Sequence, residues 1–186
     1  MQDTQIVALY WERKEQAIRE TEEKYGSYLL QIAVNILGDR EDGREVVNDT
    51  CWKTWSSIPP QRPAQLKTYL ARLARQTAID RFRSRNRDKR RESQYALSLS
   101  ELEECVSGGD RTLEDAERHR LAEAMERWLW SRNRQTRCAF LRRYYYGESL
   151  EQTAKALDMS QSAVKSLLYR ARQMLRAYLE QEGFEL

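Results

Sequence analysis

The chain has 186 residues, 40% hydrophobic and 33% charged, and 32 lysines and arginines against 29 aspartates and glutamates leave a net charge of +3. Seven glycines and three prolines are too few for a β-rich or loop-rich chain, and the balance favours helices in small domains. No apolar run approaches the roughly 20 residues of a membrane span, and the start MQDTQIVALYWERKEQ lacks the basic-then-apolar order of a secretory leader.

The three cysteines, Cys51, Cys105 and Cys138, are scattered and form no CxxC pair, which fits a reducing cytoplasm. A single histidine, His119, leaves little room for a histidine-based triad or a multi-histidine metal site. No cofactor is expected.

Residues 5–37 read as one helix, because Tyr25, Tyr28, Leu29, Ile32 and Ile36 recur at intervals of three and four. Gly38 is a helix stop and Asp39 an N-cap. A second helix spans about 41–57, with Val47, Cys51 and Trp55 on one face and Trp52 beside it. All three prolines fall in Ile58-Pro59-Pro60-Gln61-Arg62-Pro63, which must be a loop. A third helix runs from about 64 to 86 on the stripe Leu66, Leu70, Leu73 and Thr77, and its second half carries arginines. Over residues 92–112 the periodicity fades, and the serines, acids and Gly108-Gly109 read as a flexible linker with room for a short helical turn. The helical pattern returns from about 113, with Leu113, Ala116, Leu121, Ala124, Met125, Trp128 and Leu129 on one helix. Cys138, Leu141 and Tyr145 mark the next. The chain is expected to be all-α, with two small helical domains and a linker.

The near-neutral total hides segregation. Residues 1–61 hold 7 basic and 11 acidic residues, 62–91 hold 11 and 2, 92–126 hold 3 and 10, and 127–186 hold 11 and 6. Two basic segments separated by an acidic one suggest two anionic contacts joined by a spacer. Mixed charge on solvated helix faces is the ordinary alternative. The run RFRSRNRDKRR at 81–91 goes beyond it, with seven positive charges and one negative, and points to nucleic acid.

Residues 147–179, GESLEQTAKALDMSQSAVKSLLYRARQMLRAYL, carry the most specific pattern. Leu150, Thr153, Ala154 and Leu157 line one face of a short helix, Asp158-Met159 makes a tight turn, and Ser160 caps the next helix. Val164, Leu168, Ala171 and Leu175 form its apolar stripe. This is helix-turn-helix spacing, which an ordinary antiparallel helix pair shares. On the other face, Gln161, Ser162, Lys165, Ser166, Tyr169, Arg170 and Arg172 offer donors suited to phosphates and base edges.

Taken together, NILGDREDGREVVNDTCWKTWSSI, LKTYLARLARQTAIDRFRSRNR and ESLEQTAKALDMSQSAVKSLLYRARQMLR resemble a bacterial RNA polymerase sigma factor of the extracytoplasmic-function (ECF) type, which keeps only regions 2 and 4. The resemblance spans about residues 22–179. It implies region 2 in 1–91, a linker in 92–112 and region 4 in 113–186. It further implies that Asp39, Asp42, Val46, Val47, Asp49, Trp52 and Trp55 dock on the clamp helices of the polymerase β′ subunit, although core packing is an equal reading of Trp55. The −10 element would meet the loop from Pro59 to Leu66, including Arg62, and then Arg75, Gln76, Asp80, Arg81, Arg83 and Arg85. There a base of the non-template strand is flipped into a loop pocket. Region 4, which also meets the β flap, would read the −35 duplex in the major groove, with Lys165, Ser166, Tyr169 and Arg170 at the family's contact positions.

The sequence departs from the family pattern at Gln76, where Asn is frequent, at Leu167, where Arg is frequent, and at Ser131, where Pro often starts a helix. These departures bear on promoter sequence. Many relatives are held inactive by an anti-sigma partner. The function implied is a non-enzymatic initiation factor that brings polymerase core to promoters and helps open the −10 region. The alternatives are a stand-alone helix-turn-helix regulator, an enzyme on nucleic acid and a basic helical scaffold. The regulator leaves the N-terminal domain unexplained. An enzyme lacks a phosphate loop or metal-ligand spacing.

Overall fold

The computed structural model describes residues 1–85, 93–106 and 115–184. The last part of the basic run and the Gly108-Gly109 pair lie outside them. Among the described residues there are nine α-helices and no strand: α1 Asp3–Trp11, α2 Gln16–Leu37, α3 Arg40–Ser57, α4 Leu66–Arg85, α5 Gln94–Val106, α6 Asp115–Trp130, α7 Arg134–Phe140, α8 Leu150–Leu157 and α9 Gln161–Gln181. A π-helical stretch, Leu141–Tyr145, prolongs α7. The all-α expectation holds. Two compact units divide the chain, Met1–Ser93 and Gln94–Leu186.

In the N-terminal unit, α2, α3 and α4 pack mutually and α1 lies against α2 and α4. Leu29, Ile36, Val46, Ile58, Leu66 and Leu70 are fully buried, each contributing about 1.5–3 kcal/mol by removal from water. Gly38 ends α2 in the left-handed conformation, φ 72°, and the Asp39 carboxylate then accepts from the backbone N–H groups of Glu41 and Asp42 at 2.9 and 3.0 Å. The stop and the cap stand where the sequence places them.

The single helix expected over 5–37 is two. Arg13 takes a left-handed φ of 55°, and its guanidinium donates to the Trp55 backbone carbonyl at 2.7 Å. The turn Glu12-Arg13-Lys14-Glu15 carries neither Gly nor Pro, so local composition does not announce it. A tertiary contact holds a conformation that most L-residues disfavour.

A second difference concerns residues 94–106. The sequence reads as linker, yet α5 forms and packs on α9 and on the π-helical stretch, with Tyr95 and Ser98 buried. Serines and acids mask the pattern, because the buried positions are polar as often as apolar. The core of the C-terminal unit joins Ala124, Trp128, Phe140, Tyr144 and Ala154 to the α9 stripe Val164, Leu168, Ala171, Leu175 and Leu179. Phe140 meets Trp128 edge-on with ring centroids 5.4 Å apart, a favoured aromatic geometry.

Gly43 sits where α3 crosses α2. A Cβ there would lie 2.9 Å from a Val34 methyl and 3.0 Å from a Leu30 methyl. A Gly43→Val substitution places three carbons in that space, and the roughly 0.3–0.5 kcal/mol of helix propensity that Val gains over Gly does not offset the overpacking. It is expected to destabilise the N-terminal unit by about 2 kcal/mol or more, read from urea unfolding followed by circular dichroism.

Burial pushes the Tyr10 phenol up to about 12 and the Cys51 thiol up to about 11. In the unfolded chain both ionise earlier, so the stability they contribute is complete below pH 9 and is lost as pH rises through 11 and 12. Urea midpoints are expected to fall steadily over that window, and Tyr10→Phe to flatten the fall above pH 10.

Candidate nucleic-acid interface

Helix α8 begins at Ser149, whose hydroxyl accepts from the Gln152 N–H at 3.1 Å while the Gln152 side chain accepts from the Ser149 N–H at 2.8 Å. That reciprocal capping box fixes the start of the helix. Asp158 ends it in the left-handed region, φ 53°. Ser160 then caps α9 by accepting from the Ala163 N–H at 3.2 Å. The turn at Asp158 and the cap at Ser160 stand where the sequence predicts them, and the Ser149 capping box adds a second cap beyond the one expected.

Burial of Val164, Leu168, Ala171 and Leu175 turns the opposite side of α9 outward. Gln161, Ser162, Lys165, Ser166, Tyr169 and Arg170 are all exposed, with Tyr169 at 56%. Leu167 is half-buried against the core of the unit, so an apolar residue at that position serves packing.

Arg172 departs from the expectation of an outward donor. Its guanidinium donates to the Tyr144 hydroxyl at 2.6 Å and to Glu101 at 3.4 Å. Glu101 comes from α5 and also pairs at 2.6 Å with Arg143, whose side chain is 3% exposed. Arg143 donates further to the Gln94 side chain at 3.2 Å and to the Glu148 carbonyl at 2.9 Å. Tyr144 donates to Glu101 at 3.2 Å, and burial raises its phenol to about 12. The sequence does not reveal this network, since its members are scattered from residue 94 to 172 and the helix that supplies the carboxylate reads as linker.

In the N-terminal unit, Arg62 is exposed in the loop before α4, and its guanidinium lies over the Trp11 ring, 5.2 Å from the centroid. Gln76, Asp80 and Arg83 are exposed on α4, and the Gln76 amide donates to Asp80 at 3.3 Å. Arg75 and Arg81 are half-buried. Arg81 is held by two acids of α3, with a direct bond to Glu45 and a 3.5 Å approach to Asp49. The side chain of Arg85 lies outside the described residues. Arg72 is a further exposed cation beside the loop, placed over the Tyr69 ring at 5.8 Å. No motif singles it out, since one arginine on an arginine-rich helix carries no pattern.

The face expected to meet polymerase is divided. Val46, Val47 and Asp42 are buried, at 0%, 6% and 8% exposure. They belong to the packing of α3 on its neighbours and are not outward contacts. Asp39 is spent on the helix cap. Trp55 is half-buried, with Tyr10 edge-on at 6.2 Å and the Arg13 guanidinium 5.4 Å from its centroid. Only Trp52, 68% exposed, and the half-exposed Asp49 stand free of the core. A heptad-like apolar face looks the same whether a partner or the rest of the domain covers it.

Among the described residues no group of acids, cysteines and histidine is arranged to hold a metal ion, and no helix is long and apolar enough to cross a membrane.

Glu101 serves both Arg143 and Arg172. Its removal leaves a buried guanidinium short of its counter-charge, an effect worth about 3–5 kcal/mol at full burial. With Glu101 partly exposed, Glu101→Ala is expected to cost about 2 kcal/mol in the C-terminal unit, seen as a lower thermal midpoint with the N-terminal transition unmoved.

Residues 23–88 match the family model described as Sigma-70 region 2, and residues 133–175 match Sigma-70, region 4. Together the two matches cover more than half of the chain. No curated protein matches the sequence. The solved structure of CnrH in complex with the cytosolic domain of CnrY is similar to 96% of this chain and 97% of that one, with 20% identity and a TM-score of 0.44. With regions 2 and 4 in that order on one chain, and a capped helix-turn-helix inside the second, the protein belongs to the sigma-70 family and directs RNA polymerase to promoters.

Proposed function

We propose that the chain is a sigma factor of the ECF type that uses three surfaces. The first half of α9 reads the −35 duplex in the major groove. The loop from Pro59 to Leu66 and the exposed edge of α4 take the unpaired −10 strand. Trp52, with Asp49 beside it, meets the β′ clamp helices of polymerase core, and region 4 also meets the β flap. The ECF assignment is supported by the short interval between regions 2 and 4, whose matches end at residue 88 and resume at residue 133. The observation that carries the −35 assignment is the outward set Gln161, Ser162, Lys165, Ser166, Tyr169 and Arg170, opposite a fully buried stripe.

The chemistry follows from the donors. Lys165 and Arg170 carry fixed positive charge and can pair with phosphate or with the acceptor edge of guanine, while the amide of Gln161 suits adenine. Arg172 is assigned to the internal network in place of the duplex. In region 2, arginines hold the backbone of a strand whose bases have left the stack, and unpairing costs least in an easily melted −10 element. The chain acts in the cytoplasm, where promoter and polymerase are, and an anti-sigma protein is a further partner that the resemblance implies. Competition of such a protein with core for the chain tests that partner.

Purified chain with core polymerase, followed by sequencing of start sites on genomic DNA, tests the function directly. Lys165→Ala with Arg170→Ala is expected to keep core binding and fold, since neither residue packs in the stripe. Removing a side chain that bonds to a base edge costs about 1–3 kcal/mol of discrimination, so transcription from −35-dependent promoters should fall at least tenfold. A −35 substitution that weakens the parent should then have no further effect. Normal transcription by the double variant overturns the −35 assignment. Trp52→Ala is expected to weaken core binding with the melting midpoint unchanged.

A further inference from the structure

Helix α1 precedes the residues matched to region 2, which begin at 23, yet its last residue reaches the loop leading into α4. There the Arg62 guanidinium lies 5.2 Å from the centre of the Trp11 ring. Trp11 is 40% exposed. Beside the pair, a groove of about 470 Å³ is lined by Gln61, Arg62, Pro63, Gln65, Tyr69 and Arg72.

The fold of α1 does not need an indole at that position. Its buried residues are Ile6, Val7 and Tyr10, and Tyr10 is already anchored by a 2.9 Å hydrogen bond to Thr21. The ring is thus held at the surface with the Arg62 guanidinium over it, and part of its aromatic surface stays open to a ligand. The neighbours define its chemistry. Two guanidiniums, Arg62 and Arg72, supply charge for phosphates, and Trp11 and Tyr69 supply flat rings at the same loop. Cations that track a backbone beside aromatic platforms that stack bases are the means by which proteins hold single strands.

We propose that Trp11 is a single-strand contact that region 2 gains from α1: its ring positions Arg62 at the rim of the groove and stacks a base of the unpaired strand next to the one the groove receives. The inference rests on the reading that residues 59–66 meet the −10 strand.

The test uses holoenzyme assembled from full chain and core, binding a fluorescent single-stranded oligonucleotide that carries the non-template −10 sequence. Trp11→Leu keeps apolar bulk and removes the aromatic face, and Trp11→Phe keeps a smaller one. Stacking of one base predicts about tenfold weaker binding for Trp11→Leu, with Trp11→Phe close to the parent and core affinity and melting midpoint unmoved. Arg62→Ala on top of Trp11→Leu should cost less than the two single losses combined, because the ring and the guanidinium act as one stack. Parental binding by Trp11→Leu overturns the proposal, and so does a Trp11→Phe variant as weak as Trp11→Leu. Loss of core affinity in place of oligonucleotide affinity assigns Trp11 to polymerase and overturns it as well. Should the parent holoenzyme itself fail to bind the oligonucleotide, the −10 reading falls, an outcome distinct from failure of Trp11 alone.

Discussion

The outward face of α9 is set by one stripe. Val164, Leu168, Ala171, Leu175 and Leu179 recur at helical spacing and are completely or almost completely buried. That burial draws α5, α6, α7 and α8 around α9 and turns every residue half a turn away toward solvent. The donors proposed to meet a promoter are thus selected by what the hydrophobic effect removes from water. Caps at Ser149 and Ser160 then set the lengths of the two helices, so that the outward face begins at Gln161.

The same logic works less cleanly in the N-terminal unit. There α3 is covered on one side by α2 and on another by α4, which leaves it one outward face, the one that carries Asn48 and Trp52. Glu45 and Asp49 face Arg81, so Asp49, proposed for protein contact, and its neighbour on α3 both touch an arginine of the helix proposed for DNA. Exposed pairs of this kind add little stability, about 0–1 kcal/mol. Their weight is in placement: they hold a long, flexible cation at a defined point on α4.

The stop at Gly38, the cap at Asp39, the proline-bearing loop and the helix-turn-helix were all legible in the sequence, because each depends on residues within one or two turns of each other. The break at Arg13 and the helix α5 were not. The first depends on the Trp55 carbonyl 42 residues away, and the second on Arg143 and Tyr144, which follow it by about as much. The outward set on α9 was read correctly except for Arg172, whose partners are a tyrosine and a carboxylate from distant segments. Periodicity tells which side of a helix is polar. It does not tell whether a polar side chain near the edge of that side points at water or at a neighbouring acid.

The carboxylate that α5 lends to Arg143 also sets the border at which this molecule can be cut and recombined. A chimera that joins another sigma factor's region 2 to this chain at α6 would carry the whole helix-turn-helix and nearly all of its apolar core. It would nonetheless bury a guanidinium whose counter-ion stayed behind with the discarded segment. Any recombination at that point meets the same obstacle, so the piece to exchange whole is the compact unit that begins at Gln94, with α5 inside it, although the outward donors of α9 begin only at Gln161.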